Sequence, residues 1–369
     1  MNEVILHVGM HKTGSTSIQR SLTGREGTDF LYCPNPIGVP NHSTFLFSLV
    51  DSAGQDRRGH ARVDTRLNHA AKRVDPTAAE NALALAARSI GPRRLVLSGE
   101  GAMLLSASEL SALRDKLHAH GFTPRVYAYV RAPVAYATSV FQQHMKNATA
   151  PRFDVGARFC DYRERFEKFD QVFGPDRVVL RKFDPAAFTG GCVVSDFCRW
   201  TGIAFDGESV RANESLNVEV VRLAYVYHRM ADAGVVPAAD TPTMRRIVRH
   251  LAPIDGPRLR FAPSLLRPFL QERREDIAWI EHRLGASLVE PLGADRPGDI
   301  ATEADLWSLS PATLASLRAI VGARSPDAVL GDTPQEVARM LAMLAHASPP
   351  IRKTGMRALA RAAWRRVAG

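Results

Sequence analysis

Over the first two hundred positions, short apolar runs alternate with longer segments of mixed character. Val4-Ile5-Leu6-His7-Val8, Arg94-Leu95-Val96-Leu97-Ser98, Arg125-Val126-Tyr127-Ala128-Tyr129-Val130 and Arg177-Val178-Val179-Leu180-Arg181 are rich in aliphatic, β-branched and aromatic residues and too short for helices. They read as strands buried on both faces. Helix patterns lie between them: a segment opening at Ser15, one from Ser108 to His120 with Ser108 as N-cap and Gly121 as terminator, one from Val134 towards Lys146 with Pro133 at its first position, and one from Cys192 to Thr201. Strands separated by helices predict a parallel sheet covered on both faces. The expected fold is therefore α/β, three layers around a central parallel sheet, with additional C-terminal helices. Beyond about residue 215 the pattern is mostly helical, with Pro-rich breaks at 253–268 and 292–297. Asn35 to Pro76 is polar, basic and rich in turn residues, too long for a simple connection, and reads as an insertion or lid. The expected organisation is a core over 1–217 with that insertion, a helical extension packed on it over 218–350, and a basic amphipathic tail over 351–369.

The first strand runs into Gly9-Met10-His11-Lys12-Thr13-Gly14-Ser15-Thr16-Ser17. Strand, glycine loop, helix is the build of an anion cradle: unpaired backbone N–H groups and the helix dipole both favour negative charge. Gly9 and Gly14 keep the spacing of an ATP- or GTP-binding loop, but Ser15 stands where that loop needs Lys, and the loop's lysine, Lys12, lies before Gly14. The displacement points to a different phosphate donor. The strand at 125–130 ends in Arg131-Ala132-Pro133, with Ser139 eight residues after Arg131. An arginine there can fork onto a phosphate. Glu100 follows the strand at 94–98. Ligands of open α/β sheets bind outside the strands' carboxyl ends, so Glu100 could share a crevice with Lys12 and Arg131 and serve as a general base. His42, in Asn41-His42-Ser43, is the rival base because its usual pKa lies near neutrality. His11 could donate to a phosphate oxygen, and His7 reads as a packed strand residue.

The loop resembles the 5′-phosphosulfate-binding loop of sulfotransferases, in which a strand leads to Lys, a variable residue, Gly and then Ser/Thr residues opening a helix. Lys12, Gly14, Ser15, Thr16 and Ser17 match in order. The resemblance implies 3′-phosphoadenosine 5′-phosphosulfate (PAPS) as co-substrate, a P-loop-type fold and no metal. Lys12 would contact the oxygen bridging phosphate and sulfate, and the loop from His11 through Thr13 to Ser17 would hold the 5′-phosphate. Arg131-Ala132-Pro133 with Ser139 is similar to the family's 3′-phosphate element, which often has Asn where this chain has Ala132. Some sulfotransferases use a glutamate base and others a histidine, so Glu100 and His42 stay open. Asn213-Glu214-Ser215-Leu216 is similar to a segment of bacterial members. Ile351-Arg352-Lys353-Thr354-Gly355 faintly resembles a late donor loop, too weakly to carry a role. The resemblance covers the chain to about residue 217.

Composition narrows the partners. The net charge is +10, from 48 Lys and Arg against 38 Asp and Glu, which favours anionic ligands. Basic and aromatic residues do not interleave as a single-strand platform needs, so no nucleic acid is expected. Cys33, Cys160, Cys192 and Cys198 form no Cys-x-x-Cys pair, and no leader pattern precedes the first strand; the expected location is the cytoplasm. In the tail, Met356, Leu359, Ala360, Ala363, Trp364 and Val367 fall on one helical stripe and Arg357, Arg361 and Arg365 on another. This helix either docks on the body or makes a peripheral contact with the inner membrane surface. The expected function is sulfuryl transfer to an acceptor hydroxyl or amine of a carbohydrate or glycolipid. The alternatives are an ATP-dependent P-loop kinase and a non-catalytic protein binding anionic glycan or membrane.

Overall fold

A computed structural model describes residues 2–25, 27–50, 74–148, 152–210, 215–325 and 331–346. Its elements in chain order are β1 (Asn2–Gly9), α1 (Ser15–Leu22), β2 (Phe30–Tyr32), α2 (Ser43–Val50), α3 (Pro76–Ser89), β3 (Arg94–Ser98), α4 (Ala107–Ala119), β4 (Phe122–Val130), α5 (Pro133–Met145), α6 (Tyr162–Phe173), β5 (Val178–Lys182), α7 (Val193–Thr201), α8 (Val218–Asp232), α9 (Thr241–His250), α10 (Pro263–Glu272), α11 (Arg274–Leu284), α12 (Ala304–Trp307), α13 (Pro311–Gly322) and α14 (Pro334–His346).

The five strands form one parallel sheet in the order β2-β3-β1-β4-β5. Successive side chains on a strand point to opposite faces, and the sequence fills both with apolar groups. Val4, Leu6 and Val8 of β1, Leu95 and Leu97 of β3 and Val126, Ala128 and Val130 of β4 join one core, with Phe45 of α2, Leu83 of α3, Leu113 of α4, Phe166 of α6 and Ile280 of α11. Ile5, Val96, Tyr127 and Tyr129 face the other way, against Ile18 and Leu22 of α1 and Val194 and Phe197 of α7. The three-layer α/β arrangement read from the sequence is the one formed.

Local details depart from the sequence reading. α4 starts one residue before Ser108 because Ser106 is the N-cap: its hydroxyl accepts from the Glu109 amide, and the Glu109 carboxylate accepts from the Ser106 amide, a complete capping box. The first part of the insertion is structural, since Phe45, Leu46 and Leu49 of α2 are core residues; residues 51–73 of that insertion lie outside the described residues. So do Asn213 and Glu214 and the whole tail from 351, with the amphipathic helix and the late loop placed there. The edge strand β2 escapes a periodicity reading because three residues carry no period.

The described residues gather into two units. Unit 1 is Met1–Val140, Val155–Glu214 and Pro263–Asp295; unit 2 is Phe141–Asp154, Ser215–Ala262 and Arg296–Gly369. The sequence reading placed one cut near 217; the units divide the chain between Glu214 and Ser215 and at other positions as well. α10 and α11 belong to unit 1 because Ile277 and Ile280 enter its core. Arg283 of α11 also forks onto Asp170 of α6, with Nε to Oδ2 and Nη2 to Oδ1 both at 2.8 Å, and donates to the Val178 carbonyl at 2.6 Å. Unit 2 is helical. Asn217 caps α8 by accepting from the Val220 amide, and the buried Glu219 accepts from Thr313 Oγ1 at 2.6 Å and pairs with Arg222 at 2.7 Å. Among the described residues no helix is long and apolar enough to cross a membrane.

The Arg283–Asp170 fork is a partly buried, charge-assisted pair, so Arg283→Ala is expected to lower stability by about 2–3 kcal/mol. Urea unfolding measures this; a change below about 0.5 kcal/mol, the scatter of ordinary surface substitutions, would show that α11 does not depend on the pair.

Candidate functional site

β1 lies between β3 and β4, and all three strands run the same way. His7 pairs with Ser98, and Gly9 with Ala128. The three segments that leave these strands therefore start side by side at the carboxyl edge, where the strand order reverses. The glycine loop follows β1, Glu100 follows β3 and Arg131 follows β4. The backbone ladder continues into them: the Met10 amide donates to the Tyr129 carbonyl, and the Gly99 amide to the His7 carbonyl, both at 3.0 Å.

The glycine loop is shaped by steric limits. Gly14 caps α1 at φ +80°, a left-handed conformation that suits glycine. A Cβ there would sit 2.8 Å from Cγ1 of Val193, in the first turn of α7. Lys12 is also left-handed, at φ +67°, which turns its carbonyl to accept from Nη1 of Arg131. The Thr13 hydroxyl donates to the Met10 carbonyl and pins the loop from within. α1 has no side-chain N-cap and no acid in its first turn, so its amino end keeps its positive field. Ser15 is 5% exposed, and its hydroxyl has no hydrogen-bond partner among the described residues. Ser17 is also buried, and Thr16 half-buried.

Arg131 is held from several sides. Its guanidinium lies over the Phe183 ring at 5.4 Å, its carbonyl accepts from the Tyr162 hydroxyl at 2.6 Å, and its Nε is buried with no partner. Burial lowers its pKa to about 10, which leaves it charged at neutral pH. Ser139 sits two turns into α5, half-buried.

Glu100 opens a short 3₁₀ turn, Glu100–Leu104. Its Oε2 accepts from Nε2 of Gln19 at 2.9 Å and from Nδ2 of Asn41 at 3.1 Å. A Cβ on Gly9, itself at φ +100°, would lie 3.0 Å from Cβ of Glu100. The stem of Glu100 is thus packed against the end of the strand that feeds the glycine loop.

The histidines divide differently from the sequence reading. His42 is fully buried; its Nε2 meets the Cys33 carbonyl at 2.8 Å and its Nδ1 accepts from the Ser98 amide at 3.0 Å. This fixes the neutral Nε2–H tautomer. Burial lowers its pKa to about 4, against a smaller opposing effect of the two backbone bonds. With both nitrogens engaged by backbone, His42 has no lone pair for an acceptor proton. It staples the Cys33 segment and α2 to β3, a structural role. His7 is packed as expected, its Nδ1 at 2.8 Å from Ser98 Oγ and its ring 5.0 Å from that of Phe197. His11 is buried in the loop.

Lys12, Arg131 and Glu100 are thus brought to one strand edge. Sequence reasoning missed Gln19, Asn41, Phe183 and Val193. Gln19 stands four residues after Ser15, one turn along the same helix, and that spacing was the one signal pointing to it. Among the described residues no group of three or more His, Cys, Asp or Glu could hold a metal ion.

No protein-family model matches the chain, and no curated protein matches it. Among solved structures it is similar to a crystal structure of a sulfotransferase from Alicyclobacillus acidocaldarius, at 13% identity over 63% of this chain and 96% of that one, with a TM-score of 0.36.

Two outcomes are expected from this packing. Gly14→Ala should destabilise the protein by about 1–2 kcal/mol from its left-handed backbone alone and by more from the contact with Val193. Adding Val193→Ala should recover the second part only, as a double-mutant cycle by urea unfolding can measure. The second outcome concerns pH. His7 and His42 both have folded pKa values lowered to about 4 by burial, against about 6.5 when unfolded. The unfolded chain then binds more protons, so their contribution is complete above pH 6.5 and declines as pH falls towards 4. His42→Gln should flatten that decline; an unchanged slope would mean the ring is not held neutral.

Proposed function

We propose that this chain is a sulfotransferase that moves a sulfuryl group from PAPS to a hydroxyl, or an amine, of a carbohydrate or glycolipid. One observation carries the reading: an anion loop with its lysine inside it, an arginine bonded to that lysine's carbonyl, and a fixed carboxylate meet at the carboxyl ends of three neighbouring strands. The donor set suits a nucleotide with separate phosphate groups. The uncapped start of α1, the unpartnered Ser15 hydroxyl and the unpartnered Nε of Arg131 offer buried positive field and donors. An ATP loop would place Lys after Gly14, where this chain has Ser15.

When bound, the co-substrate supplies the sulfuryl group as a phosphate–sulfate anhydride. The loop amides with His11, Ser15, Thr16 and Ser17 hold the 5′-phosphate end; Thr13 contributes its amide, its hydroxyl being bonded to Met10. Arg131 and Ser139 hold the 3′-phosphate. Lys12 neutralises charge on the bridging oxygen as its bond to sulfur breaks and the electron pair stays with the nucleotide. Glu100 takes the acceptor's proton as the new oxygen–sulfur bond forms. The products are the sulfated acceptor, 3′,5′-bisphosphoadenosine and one proton on Glu100. As in phosphoryl transfer, the protein mainly aligns groups and neutralises charge.

Calorimetry with 3′,5′-bisphosphoadenosine against 5′-AMP tests the donor. Wild type should prefer the bisphosphate. Arg131→Ala should lose roughly 10- to 150-fold of that preference, the equivalent of one charge-assisted contact. Lys12→Ala should slow transfer roughly 10²- to 10³-fold. Equal binding of the two nucleotides, or a preference for ATP with Mg²⁺, would reject the proposal and favour a P-loop kinase.

A further inference from the structure

We propose that Gln19 and Asn41 are positioning residues for the transfer: their side-chain amides fix the Glu100 carboxylate towards the acceptor and keep it ionised. The inference rests on Glu100 being the base. Both amides donate to one oxygen, Oε2, at 2.9 and 3.1 Å, and bonds to a carboxylate are about twice as strong as neutral ones. Both donors are uncharged. A cation at either place would stabilise the carboxylate further and make it a weaker base, whereas an amide orients it with a smaller effect on basicity.

Each amide is itself held. Gln19 is 2% exposed, and its Nε2 also reaches the Ser98 carbonyl at 3.4 Å. Asn41 accepts from the Ser43 amide on Oδ1 at 2.7 Å, and its carbonyl accepts from Nδ2 of Asn35 at 3.0 Å. Gln19 stands on α1, the helix that the anion loop opens; Asn41 stands where the insertion leads into α2. The base is therefore fixed relative to the donor loop by Gln19 and relative to the insertion by Asn41, while its stem abuts Gly9. Transfer needs acceptor oxygen, sulfur and leaving oxygen in line, so a base tied to the donor loop has a direct mechanistic use.

Three buried groups near Glu100 are kept out of the working range. Burial lowers the pKa of His7 of β1 to about 4, with Glu100 opposing that shift, and burial raises that of the Tyr32 phenol on β2. His42, bonded to the Ser98 backbone beside it, is neutral for the same reason. The charged and titratable members of the neighbouring loop are Lys12 and His11, which none of the variants below alters.

The test uses Gln19→Glu and Asn41→Asp, near-isosteric changes that remove one donor each and add a like charge; Asn41→Asp keeps the acceptor for the Ser43 amide. Gln19→Leu removes the donor without adding charge. PAPS turnover to 3′,5′-bisphosphoadenosine is followed from pH 5 to 9, with methyl glycosides or water as acceptor. The acidic limb of kcat/KM should move up by about one pH unit or more in the acidic variants and less in Gln19→Leu. kcat should fall about tenfold or more at pH 6, with KM for PAPS within about threefold of wild type. Wild-type profiles in folded variants that bind 3′,5′-bisphosphoadenosine normally would overturn the positioning role. Glu100→Gln separates the two failures. If it is inactive while the Gln19 and Asn41 variants keep the wild-type limb, only positioning is wrong; if it stays active, or wild type turns over no PAPS, the base assignment falls and the inference with it.

Discussion

The backbone hydrogen bonds that hold β1 between two parallel neighbours determine almost everything at the site. A parallel ladder puts the carboxyl ends of its strands at one edge, and here it does not stop where the strands do. Met10 donates to Tyr129, Gly99 to His7, His42 to Ser98 and Phe183 to Val130, at 2.8–3.0 Å. Each bond carries the register of a strand into the loop that follows it. Loops otherwise carry backbone groups that must find partners or face water; these find theirs on the sheet. The positions of Lys12, Glu100 and Arg131 relative to one another are thus set by main chain, before any side chain is considered.

Burial then decides which side chains at that edge carry charge. His7 and His42 are held neutral inside the sheet's edge, while Arg131, though largely buried, stays cationic because its intrinsic pKa is so high. The ring of Phe183 supports the guanidinium on one side and the Lys12 carbonyl on another. The charged side chains at that edge are Lys12, Arg131 and Glu100, beside the positive amino end of α1.

Much of this was legible in the sequence, for identifiable reasons. Strands buried on both faces leave continuous apolar runs, and Val4–Val8, 94–98 and 125–130 gave three neighbouring strands of the sheet. Gly9 and Gly14 marked a tight loop between β1 and α1 because glycine spacing reports backbone geometry directly. What stayed hidden depends on long-range contacts. Nothing local says that the Asn41 amide reaches Glu100, fifty-nine positions away, or that Val193 forbids a side chain at position 14. His42 was a candidate base on its ordinary pKa alone; its burial depends on the Cys33 carbonyl and the Ser98 amide converging on it. Ser106, not Ser108, caps α4, and only the reciprocal bond with Glu109 shows it.

Unit 1 is assembled from three separated stretches of chain, and its last stretch, Pro263–Asp295, supplies Ile277, Ile280 and the Arg283 fork to the core. This has a consequence during translation. All five strands, ending at Lys182, leave the ribosome well before α11, ending at Leu284, so the sheet waits for about a hundred further residues, at about 5–20 residues per second, with one patch of its apolar face uncovered. For those seconds the nascent chain presents hydrophobic surface that is covered only once synthesis passes residue 284.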